Sequence, residues 1–215
     1  MVHNLSHSNS IINQFISELR NVEIQKDRLR FRRNLERMGE IFAYEISKTL
    51  EYTQEEVTTP LGTANVPMLA EQPIVGTILR AGIPLHQGIL NFFDNADNAF
   101  ISAYRKHHKD GSFDIKLEYV SSPSLENRIL ILADPMLATG SSMVMTYRAL
   151  LAKGHPKQTH IVAALASVQG IEYVKMHLSS DVVLWVGAVD EELTAQAYIV
   201  PGLGDAGDLA YGEKI

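Results

Sequence analysis

ILILADPMLATGSS, from Ile129 to Ser142, reads as a strand, a tight loop and the start of a helix. The five residues Ile129 to Ala133 are apolar without alternation, the pattern of a strand buried on both faces of a parallel sheet. Asp134 and Pro135 leave that strand. The small residues Ala138, Thr139, Gly140, Ser141 and Ser142 then lead into an apolar-periodic segment, Met143 to Leu151. In such a turn the backbone N–H groups and the positive end of the helix dipole converge on one point, which suits a phosphate dianion. Asp134 stands at the carboxyl end of the strand, where open α/β sheets bind ligands. A carboxylate repels phosphate, so its natural partners are sugar hydroxyls or a metal, and acid plus anion cradle point to a phosphorylated sugar. No Lys follows Gly140 and no GxGxxG occurs here, which removes the two common nucleotide fingerprints. The competing reading is an ordinary strand-to-helix turn capped by Ser141 or Ser142.

The whole chain sets the bounds. Its 215 residues suit one α/β domain, 1–215, and 46% hydrophobic residues are enough for a core. The absence of cysteine excludes disulfides, thiolate metal sites and Cys nucleophiles. A net charge of -6 argues against a general nucleic-acid binder. No apolar run approaches the roughly 20 residues of a membrane span. The opening MVHNLSHSNS lacks a charged-then-apolar signal pattern, so a cytoplasmic location is expected.

Upstream, the region 1–50 is expected to be helical. Ile11, Ile12, Phe15, Ile16 and Leu19 recur at helical spacing behind Asn9 or Ser10 as cap. A longer helix is predicted over Gln25 to Leu50, with Leu29, Leu35, Met38, Phe42 and Ile46 buried. Its other face carries Arg28, Arg30, Arg32, Arg33 and Arg37, read as a solvated face partnered by Glu36 and Glu40. Glu51 to Val57 and Thr63 to Val66 flank Pro60, Leu61 and Gly62, predicting a small hairpin within 51–67 that could hood a site.

The core is expected over 73–215. PIVGTIL, Pro73 to Leu79, is another buried strand, and it ends in Arg80, Ala81 and Gly82 ahead of a helix from Leu85 to Phe93. A guanidinium at that edge can bind diphosphate oxygens bidentately. A strand from Ala99 to Tyr104 ends in Arg105, and the polar stretch Lys106 to Gly111 before the strand Phe113 to Val120 reads as a mobile basic loop. Its His107 and His108 point apart and lack a third ligand, so a metal there is not expected. Beyond the central loop, a strand near Thr159 to Leu165, a helix near Gln169 to His177 and a strand from Val182 to Val189 continue the alternation. A doubly wound, mainly parallel sheet is the economical topology. The lone His155, His160 and His177 read as surface residues. In Tyr198 to Asp208, YIVPGLGDAGD, Pro201, Gly202, Gly204 and Gly207 argue against regular structure. Such a loop offers backbone donors and acceptors that can complement the edge of a planar base. The spacing of Asp205 and Asp208 does not fit an EF-hand loop.

Three of these motifs resemble one family, in its order: ILRAG ending on Gly82, DPMLATG and YIVPGLGDAGD. The resemblance is to the type I phosphoribosyltransferases, and within them to the uracil phosphoribosyltransferases. It implies that fold and the reaction of uracil with 5-phospho-α-D-ribose 1-diphosphate to give UMP and diphosphate. It implies that Pro135, Met136, Leu137, Ala138, Thr139, Gly140, Ser141 and Ser142 hold phosphoribosyl diphosphate together with Asp134, Arg80, Arg105 and Asp205. It further implies that Ile199, Gly204, Asp205 and Ala206 contact uracil. Arg80, Asp134 and Asp205 are then the catalytic candidates, with Asp205 offered as acceptor of the N1 proton. Mg2+ is expected on the diphosphate rather than in a protein cage. The family also implies a homodimer or larger homo-oligomer and raises GTP as an effector, on which the residues themselves are silent. Ser141 departs from the second glycine usual in this branch.

Two other readings stand beside this one. A regulator of this fold could bind RNA through Arg28 to Arg37, which steep salt dependence would reveal. A transferase for another base would differ only in the Tyr198 to Asp208 loop.

Overall fold

In the computed structural model, residues 1–107 and 113–213 are described, without the side chains of 103–107 and 113–117. The elements run β1 (Val2–Asn4), α1 (Ile12–Arg20), α2 (Arg28–Ser47), β2 (Tyr52–Thr59), β3 (Gly62–Leu69), β4 (Ile74–Leu79) and α3 (Ile83–Leu90). They continue with β5 (Asp97–His107), β6 (Phe113–Ser121), β7 (Ile129–Ala133), β8 (Met136–Leu137), α4 (Ser141–Leu150) and β9 (Gln158–Ser167). Last come α5 (Val168–His177), β10 (Val183–Asp190), β11 (Glu192–Leu193), β12 (Ile199–Val200) and α6 (Ala206–Tyr211).

The unbroken apolar run of β7 is explained by its position. Strands lie in the order β1, β10, β9, β7, β4, β5, β6, with β8 added beside β9. All pairings from β1 to β5 are parallel, and β6 closes the far edge antiparallel to β5. Ile129, Ile131 and Ala133 pack in one core with α1, α2, α3 and α6, whereas Leu130 and Leu132 pack in a second with α4 and α5. Helices thus cover both faces, and the expected doubly wound, mainly parallel sheet is what forms. Each fully buried Leu or Ile contributes roughly 1.5–3 kcal/mol. Close packing at the helix layer needs glycine: a Cβ on Gly88 would run into the carbonyl of Glu36, and α2 and α3 cross there backbone to backbone.

Several expectations need correction. Asp27 caps α2 by accepting from the Arg30 N–H at 3.0 Å, so the helix starts at Arg28 rather than Gln25. Leu29 is exposed, because it sits nearly half a turn round from the buried stripe of Phe31, Leu35, Met38, Phe42 and Ile46. No side chain caps α1, whose N-cap is Ile11. The hairpin β2–β3 is longer than read, with Tyr52 paired to Leu69, and it projects with nearly all its residues exposed.

β1 was too short for any periodicity to reveal. It is fixed by pairing with β10 and by His3 stacking on Trp185 at 4.0 Å. His160 is not a surface residue: it is buried, accepts from Trp185 Nε1 at 3.0 Å, and burial pushes its pKa down to about 4. The glycine-rich C-terminal stretch also contains regular structure. Gly202 (φ +56) and Gly204 (φ +96) make the turns, and Asp205 then caps α6 by accepting from the N–H groups of Gly207 and Asp208.

Candidate active site

Parallel pairing in register brings the loops that leave adjacent strands to one edge of the sheet. Thr77 of β4 pairs with Ala133 of β7, so Arg80 and Asp134 both emerge at the carboxyl edge on neighbouring strands. The turn after β4 is pressed against β7: a Cβ on Gly82 would meet the Ile78 carbonyl at 2.7 Å and the Ala133 carbonyl at 3.0 Å. Only glycine lets the chain reverse there.

The loop from Asp134 to Ser142 is anchored along its length. The Asp134 N–H donates to the Val162 carbonyl at 3.0 Å, and the Asp134 carboxylate accepts from the Met136 N–H at 3.4 Å. Met136 and Leu137 form β8 against β9, and Leu165 N–H reaches the Pro135 carbonyl at 2.9 Å. Ser167 Oγ then donates to the Ala138 carbonyl at 2.6 Å while accepting from Gly170 N–H at 2.8 Å. The helix cap here is Gly140, with φ +79, and not Ser141 or Ser142. No side chain caps α4. Thr139 Oγ1 does accept weakly from Ser141 N–H, at 3.4 Å. A glycine in the left-handed region followed by an uncapped ten-residue helix leaves first-turn N–H groups facing outward, as an anion requires.

The C-terminal loop closes against Arg80. Arg80 Nη2 donates to Asp208 Oδ1 at 3.2 Å and to the Gly212 carbonyl at 3.1 Å, and it lies 3.9 Å from a Cβ placed on Gly207. Its Nε is buried without a hydrogen-bond partner, while the side chain as a whole stays partly exposed. Gly204 is exposed, whereas Ile199 and Ala206 are buried with their side chains in the core, so Gly204 is the most open of the three to a ligand. Asp205 is half-buried, and one of its oxygens is engaged by the α6 N–H groups.

Arg105 is placed by its backbone in β5, opposite Ile115 in β6. Its side chain lies outside the described residues, as does most of the basic loop that follows.

The arginine face of α2 is less free than the sequence suggests. Arg30 forks onto Glu18 at 2.8 and 2.9 Å, Arg32 donates to the Ala210 carbonyl at 2.7 Å, Arg33 pairs with Glu36, and Arg37 reaches Asn34. Arg30 and Arg32 thereby tie α2 to α1 and to the C-terminal helix, whereas Arg33 and Arg37 bond within α2.

Ser167, Gly170, Arg20 and Asp190 escaped the sequence reading, and Asp208 entered it only as a calcium candidate. For Asp190 a signal existed, since it follows the apolar run of β10 just as Asp134 follows β7. Among the described residues no three or more His, Cys, Asp or Glu gather as a metal site. A single strand-end carboxylate nevertheless suits Mg2+, which keeps several waters and binds through one or two carboxylates plus substrate phosphates.

A sequence model of the family described as uracil phosphoribosyltransferase matches residues 6–213. The chain belongs to the uracil phosphoribosyltransferase family. Within that family it is 51% identical over 211 residues to the uracil phosphoribosyltransferase of Porphyromonas gingivalis, covering 98% of both chains. The uracil phosphoribosyltransferase of Methanothermobacter thermautotrophicus is 38% identical over 184 residues, 85% of this chain and 83% of that one. Among solved structures, the AQ2163 protein of Aquifex aeolicus superposes with a TM-score of 0.87 at 31% identity, covering 99% of this chain and 98% of its own. Membership covers both loops built above, since each lies inside the matched range.

Proposed function

We propose that the chain transfers the phosphoribosyl group of 5-phospho-α-D-ribose 1-diphosphate to uracil, releasing diphosphate and forming UMP. The observation that carries this reading is the meeting of Arg80, the Asp134 loop and the α6 cap at one sheet edge, in a chain 51% identical to a uracil phosphoribosyltransferase.

Each group has a role that follows from its chemistry. The outward N–H groups from Thr139 to Ser142 bind the 5-phosphate through the helix dipole and hydrogen bonds. Asp134 holds the ribose hydroxyls. Arg80 stabilises the charge that collects on diphosphate as its bond to ribose C1 breaks, and Arg105 grips the same anion. The diphosphate, with the Asp134 carboxylate beside it, would hold Mg2+, which supplies further neutralisation of charge on the leaving group. The N1 lone pair of uracil forms the new bond to C1 on the opposite face, and the N1 proton leaves, with Asp205 as candidate acceptor. No covalent enzyme intermediate is needed, and the acceleration comes from positioning and electrostatic stabilisation. The backbone around Gly204 selects the base by complementing its edge.

The cytoplasm is the proposed location, in keeping with a reaction on two small water-soluble substrates; no described helix is long and apolar enough to cross a membrane. A homo-oligomer is supported by the projecting hairpin, whose tip residue Leu61 is fully exposed. GTP as an effector is supported by family resemblance alone.

Incubation with labelled uracil and phosphoribosyl diphosphate, with and without Mg2+, is expected to give UMP and diphosphate in equal amounts. Cytosine, hypoxanthine and orotate should not compete. Failure to form UMP refutes the reading, and preferential turnover of another base reassigns it.

A further inference from the structure

Asp190 ends β10 and is buried, and its carboxylate is fully engaged. It accepts from Arg20 Nη1 and Nη2, both at 2.7 Å, and from the Gly202 N–H at 3.0 Å. Arg20 Nη1 also donates to the Gly202 carbonyl at 3.0 Å. Both backbone polar groups of Gly202 are therefore held by one ion pair, whose members come from the end of α1 and the end of β10. The turn at Gly202 calls for glycine, because its φ of +56 disfavours other residues and a Cβ would strike the Ile199 carbonyl. The segment Ile199 to Asp205 is thus fixed at three points: β12 pairs Ile199 with Leu193, the clamp holds Gly202, and Asp205 caps α6.

We infer that Arg20 and Asp190 are positioning residues for the pyrimidine subsite, setting the backbone of Gly202 to Gly204 so that its donors and acceptors meet the base edge. This rests on the reading of that loop as the uracil site. Neither side chain touches the substrate; they act through Gly202. The phosphoribosyl half of the site is anchored separately, through β8, Ser167 and Gly170. Loosening the clamp should therefore act on one substrate and not the other. The fork fixes geometry as well as charge: a lysine nitrogen in the place of Nη1 leaves the second Asp190 oxygen, which Nη2 serves, without its donor.

The test compares wild type with Arg20→Lys and Asp190→Asn in steady-state kinetics, at a temperature where circular dichroism reports each variant folded. The KM for uracil is expected to rise about 10- to 100-fold, the cost of misplacing a site from a distance. The KM for phosphoribosyl diphosphate and kcat should move far less. Equal changes in both KM values, or none, overturn the inference. Amide hydrogen exchange provides a second readout that needs no turnover. Faster exchange across residues 199–205, with residues 134–142 unchanged, supports the clamp, and unchanged or uniform exchange overturns it. If wild type itself fails to form UMP, the uracil reading falls, while the exchange measurement still decides whether the clamp holds the loop.

Discussion

The two loops that face each other across the sheet edge are held in opposite ways. Residues 134–142 are fixed by what lies next to them in the βαβ unit: β8 on β9, Ser167 on Ala138, and Gly170 against the carbonyl of Leu137. Residues 199–212 are fixed by arginines from far along the chain, with Arg20 on Gly202, Arg32 on Ala210 and Arg80 on Asp208 and Gly212. One loop is built by strand and helix packing, and the other by charged side chains reaching across the fold. The first scheme stays within one βαβ unit, whereas the second draws on helices at both ends of the chain.

The largest effect should come from Arg80, where the arginine that braces the C-terminal loop is also the proposed diphosphate ligand. Arg80→Ala is expected to lower kcat/KM by about 100- to 1,000-fold, roughly 3–4 kcal/mol of lost charge stabilisation. Wild-type turnover in that variant would remove Arg80 from the site.

Next in size is the clasp that carries Arg20. Glu18, two residues before Arg20 in α1, is held to a pKa of about 2 by hydrogen bonds from Arg30, Asn34 and Gln14. A carboxylate depressed in this way stabilises the fold above its unfolded value of 4.5 and loses that contribution as pH falls through about 2. Glu18→Gln should cost about 1.5–3 kcal/mol at neutral pH, as for hydrogen bonds to a charged group. It should also flatten the loss of stability between pH 4.5 and 2 seen by urea unfolding. An unchanged acid limb would show that α1 is held by other means. In wild type under acid, amides of 199–212 should lose protection before those of 134–142, and the reverse order would break the contrast between the loops.

The smallest effect tests the packed loop. Gly170→Ala places a methyl group 2.6 Å from the Leu137 carbonyl and closer still to that of Ala138. Overpacking should cost about 1–3 kcal/mol in thermal or urea melts. It should raise the KM for phosphoribosyl diphosphate more than that for uracil, the mirror image of the Arg20 variants. A uracil-selective defect would mean that the two loops are not independently held.

This difference also decides what could be read from residues alone. The order of strands and helices, the burial of Ile129 to Ala133 and the strand-end placement of Arg80 and Asp134 were legible, because they depend on local periodicity and on where an apolar run stops. Helix α6 was not, because proline and glycine dominate the stretch and its stability comes from Asp205 as cap and from distant arginines. The Arg20–Asp190 pair spans 170 residues, a separation no local pattern encodes. Leu29 misled for a related reason: an apolar residue in a helix is buried only if its angle matches the stripe.

Trp185 is the chain's single tryptophan, and its indole is stacked on His3 of β1 on one side while its N–H is given to His160. Emission at the indole wavelength therefore comes from one place, the outer margin of the sheet. An optical trace from the unmodified molecule reports whether the first strand is docked, and it is blind by construction to events confined to the ligand edge. Read beside enzyme rates, such a trace separates peeling of the margin from loosening of the loops without any added label.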